Sequence, residues 1–293
     1  MKRKVLPTIT SVMFILNIGL FVVVIMMTTD VCINKDGNRS KKITRLNARR
    51  NLEENHNYIA SLIVKKGDHA PIDIFKCSTV ILSKHWTLTI AHCLLCFREF
   101  GDKSIRIVTS TSSQWNTGRE HEIEIHLAHK KYLHKHSSYN IGLIKVVQPF
   151  FGKFEEFAIL PAVDYLYVEN STAMSYSWNI ATSTQPVLMP FLQVAEVFLF
   201  SQQYCKSLNK NHWKYVTSSM ICAGIYEEKD QVCTFDSGGP LVQDGIVIAL
   251  MVWGARCNEL PKRAVYIRLA YFKRCIEEVL DGDKIPQEFL KLS

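Results

Sequence analysis

A surplus of one charge sign is missing from most of this chain. The formal net charge is +8, yet residues 1 to 57 hold ten Lys or Arg against four Asp or Glu, which leaves +2 for everything beyond them. So small and scattered an excess excludes a phosphate-binding face, because nucleic-acid affinity rests on many neutralised phosphates; no nucleic-acid partner is expected. Internal repeats and low-complexity tracts are absent, and helical periodicity is sparse. What is present is a 293-residue chain of 47% hydrophobic composition, enough to bury one large core or two smaller ones.

Charge is also lacking from Val5 to Thr29, where Val12 to Met27 is almost wholly apolar. A helix over that stretch would run about 36 Å, enough to cross a hydrocarbon core of roughly 30 Å. Its apolar residues cover every face, unlike those of a soluble amphipathic helix. Small residues suited to signal cleavage are limited to Thr28 and Thr29, so an uncleaved signal-anchor is favoured over a removable signal peptide. Basic residues lie on both flanks and do not decide the orientation. Nine cysteines do, since they suit an oxidising compartment. Asn38 and Asn170 head acceptor sequons for N-glycosylation. The expected organisation is an anchor or signal over residues 1–29, a polar basic stalk over 30–57, and one folded domain over 58–293. That makes it a single-pass membrane protein with its C-terminal domain outside the cell, or a secreted one if the leader is removed.

Beyond the stalk, short β-rich segments alternate with polar turns. Strands are expected at Ser61–Lys66, Ser78–Leu82, Thr87–Ala91, Ile105–Ser110, Glu122–Ala128, Ile141–Val147, Ala195–Ser201, Ile246–Trp253 and Ala264–Leu269. The clearest helical spacing comes last, where Phe272, Cys275, Ile276, Val279 and Leu280 share a face. The fold class is therefore all-β with a closing helix.

Two strings carry chemistry: TIAHC at Thr89–Cys93 and DSGGPLV at Asp236–Val242, with His92 and Ser237 about 145 residues apart. A serine hydroxyl is a weak nucleophile until an imidazole takes its proton and donors await the oxyanion. Glycines after a serine let the backbone bend so that the hydroxyl projects. Together with NYIASL, HKKYLHKHSSYNIGLIKV, SSMICAGI, VWGARC and AVYIRL in the same order, the chain from residue 58 to 280 resembles the chymotrypsin-like (trypsin-family) serine proteases. That resemblance implies two perpendicular six-stranded antiparallel β-barrels with a C-terminal helix and an active site in the cleft between them. It implies Ser237 as nucleophile, His92 as general base, and disulfides Cys77–Cys93, Cys205–Cys222 and Cys233–Cys257. A fourth family bridge is lost at both ends, where Ala173 and Gln243 stand. Cys32, Cys96 and Cys275 are left over, and Cys275, on the apolar stripe, is expected to be a buried thiol.

The same resemblance exposes departures. The position of the triad acid holds Asn140, and no Asp or Glu occurs between Lys130 and Val147. The oxyanion-hole glycine two residues before Ser237, whose amide would act beside that of Ser237, is Phe235. In the specificity pocket Gln231 stands at the base, Ala264 and Val252 replace a glycine and a serine, and Gly254 is kept, so Lys or Arg specificity is not expected. Asp236, which in the family pairs with an amine freed by cleavage, is present, but no Ile-Val-Gly-Gly string precedes Tyr58. His121, His126, His129, His134 and His136 crowd one stretch, with only Glu120, Glu122 and Glu124 near. They are read as exposed loop and strand residues rather than a metal site, and no cofactor or metal is expected. The implied function is a serine protease homologue, inactive or severely impaired, that binds a protein or peptide in its cleft. The alternative is an active endopeptidase of non-tryptic specificity.

Overall fold

The computed structural model describes residues 56–65, 73–95, 97, 100–110, 115–132, 138–181, 186–207, 215–225, 236–254, 262–282 and 285–292. Residues 54–293 form one compact unit. Its first half contributes β1 (Ile59–Val64), β2 (Ile74–Ile81), β3 (Trp86–Thr89), β4 (Ile105–Ser110), β5 (Gly118–His129) and β6 (Gly142–Val146). These run in the order β5-β4-β1-β2-β3-β6, and a β5–β6 pairing closes the barrel. Its second half contributes β7 (Thr172–Ala181), β8 (Pro186–Phe200), β9 (Met220–Ile225), β10 (Pro240–Gln243), β11 (Ile246–Gly254) and β12 (Lys262–Arg268), which close in the order β10-β11-β12-β9-β8-β7. Closure leaves each barrel without unpaired interior edges. The all-β expectation thus holds as two closed six-stranded antiparallel barrels.

Each barrel builds its core from alternate side chains. The second is filled by residues such as Leu199, Leu241, Ile248, Ala264 and Tyr266. β1 is buried along its whole length, on both faces. α1 (Gln202–Ser207) is short. α2 (Leu269–Asp281) has no side-chain N-cap and is held by packing instead, through buried Phe272, Ile276 and Val279. Burying each such side chain stabilises by roughly 1.5–3 kcal/mol. After α2 the chain returns as β13 (Phe289–Lys291), which adds to the edge of β5 with Phe289 opposite His129. Among the described residues no helix is long and apolar enough to cross a membrane. The apolar run at Val5–Thr29, the stalk and Asn38 lie outside the described residues.

Disulfides join Cys77 to Cys93 and Cys205 to Cys222. The pair Cys233 and Cys257, and also Cys32 and Cys96, lie outside the described residues. β10 and β7 pair Leu241 with Ser175 and Val242 with Met174, and Gln243 and Ala173 are the next residues along the two strands. Where a bridge would stand, the Gln243 amide donates to the Thr172 carbonyl at 2.7 Å and accepts from the Tyr165 hydroxyl. Cys275 is a free thiol, half-buried rather than fully buried, with its Sγ 3.0 Å from the Phe272 carbonyl oxygen; burial pushes it up to about 11.

The histidine-rich stretch departs from expectation. His121, His126 and His129 are buried, not exposed, because β5 is covered by neighbouring elements along that face. His126 stacks on Phe97 at 4.0 Å. His129 stacks on Tyr139 at 4.8 Å, and its Nδ1 accepts from the Lys131 amide. Burial first, then the Lys131 charge, lowers His129 to about 4, against a smaller pull from Glu288. His121 sits 2.9 Å from Glu155, a buried carboxylate that also accepts from Thr109, Arg119 and the amides of Phe151 and Gly152. Burial alone would raise the Glu155 carboxyl, but the Gly152 amide, Thr109, His121 and the Phe151 amide together hold it below the usual range. These histidines serve the barrel core. His134 and His136 lie outside the described residues.

Candidate active site

The strand registers bring the candidate residues together. β3 ends at Thr89, and a 3₁₀ turn, Ala91–Leu95, follows and carries His92. The Cys77–Cys93 bridge fastens that turn to β2. Because Thr89 pairs with Gly142, the segment leading into β6 lies beside the His92 turn, and Asn140, two residues before that strand, reaches His92 from it. Gly142 is closely surrounded: a Cβ there would stand 2.7 Å from Leu94 Cδ1 and 3.2 Å from the Leu127 carbonyl oxygen. Tyr139, the residue before Asn140, takes the left-handed region with φ 56°, a conformation that strains a bulky side chain. Its stacking on His129 helps hold it there.

Ser237 arrives from the second barrel, on a turn that opens β10. Gly238 has φ 81°, and a Cβ there would fall 2.2 Å from the Ser78 carbonyl oxygen. A Cβ on Gly239 would lie 2.7 Å from the Tyr176 oxygen. The two glycines therefore let this turn press against β2 and β7 at once. Its amides are fixed: Gly238 N–H donates to Met251 O and Gly239 N–H to Asp236 O, both at 2.8 Å.

His92 Nε2 lies 3.0 Å from Ser237 Oγ. On the other side of the ring, Nδ1 lies 3.2 Å from the Asn140 side-chain nitrogen. Asn140 is fully buried, and its Oδ1 accepts the His92 backbone N–H at 2.9 Å. That backbone bond decides which way the amide faces: its oxygen must meet the N–H, so its NH₂ must meet the ring. An NH₂ group can only donate, hence Nδ1 acts as acceptor. A neutral imidazole then carries its hydrogen on Nε2, directed at Ser237.

Asp236 is buried at 1% exposure. Its carboxylate accepts from the Ser78 hydroxyl at 3.2 Å and from the Trp178 N–H. Sequence reading did not single out Ser78 or Trp178. The signal for Ser78 was a hydroxyl pair, Ser78-Thr79, inside a strand that is otherwise apolar at its end.

In the candidate pocket, Val252 and Ala264 are buried and Trp253 is half-buried. Gly254 pairs with Ala264, and a Cβ on Gly254 would meet the Ala264 methyl at 3.3 Å. Gln231 and Phe235 lie outside the described residues. Asn170 is exposed, in a left-handed turn with φ 63°. A separate cavity of about 500 Å³, lined by residues including Lys84, Trp86, Phe157 and Leu280, contains none of His92, Asn140 or Ser237. Cys77, His92 and Cys93 cluster closely, but both cysteines are spent in a disulfide.

Comparison with known proteins agrees with this architecture. A family model described as Trypsin matches residues 47–276. A trypsin of Simulium vittatum is 29% identical over 66% of this chain and 76% of its own length. Transmembrane protease serine 9 of Rattus norvegicus is 27% identical over 72% of this chain and 20% of its own length. Transmembrane protease serine 5 of Homo sapiens is 28% identical over 67% of this chain and 44% of its own length. The chain thus spans less than half of those two transmembrane relatives. Among solved structures, mouse neuropsin, described as a serine protease expressed in the limbic system of the brain, superposes with a TM-score of 0.63 at 24% identity, over 77% of this chain and 95% of its own.

Proposed function

We propose, from the premise that this chain belongs to the trypsin family, that it is a serine protease homologue whose cleft binds a protein or peptide and hydrolyses it very slowly or not at all. The observation that carries this is the orientation of Asn140. With the amide oxygen engaged by His92 N–H, the amide nitrogen faces Nδ1, and the ring offers Ser237 a hydrogen instead of a lone pair. A general base needs the lone pair. In triads of this type the Asp-to-Asn exchange leaves the geometry intact and lowers turnover by about 10⁴, or roughly 5.5 kcal/mol of transition-state stabilisation. Phe235 in place of the oxyanion glycine adds a second handicap, of the order of 10²-fold for one lost donor.

A second reading, a working endopeptidase with non-tryptic specificity, draws on the 3.0 Å contact between His92 and Ser237. A fluorophosphonate reagent that modifies activated serines separates the two. Stoichiometric labelling of the intact protein within minutes, abolished by Ser237→Ala, establishes the enzyme; labelling no faster than that of the Ser237→Ala variant establishes the silent homologue.

The setting we propose is extracellular and membrane-tethered. It is supported by the apolar run at Val5–Thr29, the disulfides, and relatives that bear the name transmembrane protease. Asn170, exposed on its turn, is the proposed glycan acceptor of the folded domain.

A further inference from the structure

We propose that the Ser78 hydroxyl is a positioning group that holds the Asp236–Gly239 turn in the uncut chain, in the place of the amine that cleavage supplies elsewhere in the family. The inference rests on the assignment of Ser237 to the nucleophile position, and not on whether the cleft is silent.

Three contacts converge on Ser78, which is fully buried on β2. Its N–H donates to the Ser237 carbonyl at 2.9 Å. Its Oγ donates to the Asp236 carboxylate at 3.2 Å. Its own carbonyl accepts the Thr89 hydroxyl at 2.9 Å and faces Gly238 so closely that no Cβ fits between them. One residue of the first barrel therefore grips both the backbone and the acid of a turn that belongs to the second. From its own side, the second barrel adds the Trp178 N–H to the same carboxylate oxygen.

The chemistry explains how a hydroxyl can take over part of an amine's task. A buried carboxylate is costly unless donors surround it, and hydrogen bonds to a charged acceptor are about twice as strong as neutral ones. Donors fixed to two barrels hold the carboxylate where the turn needs it. The chain has no Ile-Val-Gly-Gly string ahead of Tyr58; Lys42-Ile43 and the dibasic Arg49-Arg50 stand there instead. Ser78 is thus suited to keeping the cleft shaped in a single-chain protein.

Hydrogen exchange of the intact full-length protein tests this at the Gly238 and Gly239 amides, which the turn protects by bonds to Met251 and Asp236. Ser78→Ala removes only the hydroxyl and should speed their exchange about tenfold, together with that of the Met251 amide bonded to Gly239, with β4 and β12 unchanged. The same substitution in an Asp236→Asn chain should speed exchange no more than about threefold, because a neutral amide accepts more weakly. Equal acceleration in both backgrounds, acceleration spread over both barrels, or none at all, overturns the proposal. Phosphonate labelling of Ser237 is read separately, so a reactive serine would refute catalytic silence and leave this test intact.

Discussion

Replacing Asn140 by Asp changes one atom of the side chain and should reverse the direction of a proton. In the structure Oδ1 accepts His92 N–H at 2.9 Å, and an aspartate can keep that bond. Its second oxygen would take the place of the amide nitrogen, 3.2 Å from Nδ1. An acceptor there demands a hydrogen on Nδ1, so the neutral ring must shift its proton from Nε2 and present a lone pair to Ser237 Oγ, 3.0 Å away. The carboxylate also stabilises the imidazolium that forms as the serine attacks.

The reverse exchange in such triads costs about 10⁴. Asn140 is fully buried, so part of the gain is lost to desolvating the new charge, and Phe235 stays in place. We therefore expect Asn140→Asp to raise the rate of fluorophosphonate modification by about 10³, or roughly 4 kcal/mol. Adding Phe235→Gly should give a further rise of up to about 10², not fully multiplicative. Nitrogen-15 spectra of the ring give a second readout independent of activity: Nδ1 should report as acceptor in the native protein and as N–H in Asn140→Asp. If the native ring already carries its hydrogen on Nδ1, or if its serine reacts within tenfold of the variant, the tautomer reasoning is refuted.

Three other outcomes follow from the same contacts. His129 is held neutral near 4 while its unfolded counterpart titrates near 6.5, so its contribution is complete above pH 6.5 and is lost as the pH falls toward 4. With solvent screening allowed for, this is about 1–2 kcal/mol, and urea unfolding of His129→Gln should show a correspondingly smaller acid loss; an identical loss would assign the effect elsewhere. Glu155→Gln leaves His121, Thr109 and Arg119 around a neutral amide and should cost about 3 kcal/mol at pH 7, a cost that a denaturation midpoint unchanged from the native protein would disprove. A peptide boronate should bind within about tenfold of the parent peptide amide by calorimetry, since a site that does not stabilise the transition state gives its mimics little advantage; a gain above about 10³ would mark a working catalyst.

Much of this was legible in the chain, for reasons that differ from element to element. β4 could be bounded to the residue, Ile105–Ser110, because a β-branched run lies between polar turns. β7, β9, β10 and β13 were not foreseen. Thr172–Ala181 interleaves Ser and Asn with apolar residues, Met220–Ile225 and Pro240–Gln243 sit inside motifs read for chemistry, and Phe289–Lys291 becomes a strand only because β5 offers it an edge. Ala195–Ser201 covers only the end of β8, Pro186–Phe200, because Pro186 and Pro190 break the β-rich pattern of its first half. The histidines of β5 were misjudged for a related reason: polarity predicts exposure only when no buried carboxylate or aromatic ring waits for it. His92, Asn140 and Ser237 could be named from short strings, whereas Ser78 and Tyr139 act through tertiary contacts that local sequence does not encode.

The Asn140 exchange alters where a hydrogen sits but leaves the heavy atoms in register, and this separates shape from chemistry in the cleft. His92 keeps its place through the Cys77–Cys93 bridge and the Thr89–Gly142 pairing. Ser237 keeps its place through Gly238, Gly239 and Ser78. None of these restraints depends on the charge of residue 140. Ground-state binding of a peptide draws on such fixed surfaces, whereas turnover draws on interactions that appear only in the transition state. A chain under selection to bind would retain the first set and could lose the second at a single amide. Gly238 and Gly239 make room for the nucleophile turn beside β2 and β7, and replacing either would deform the cleft itself.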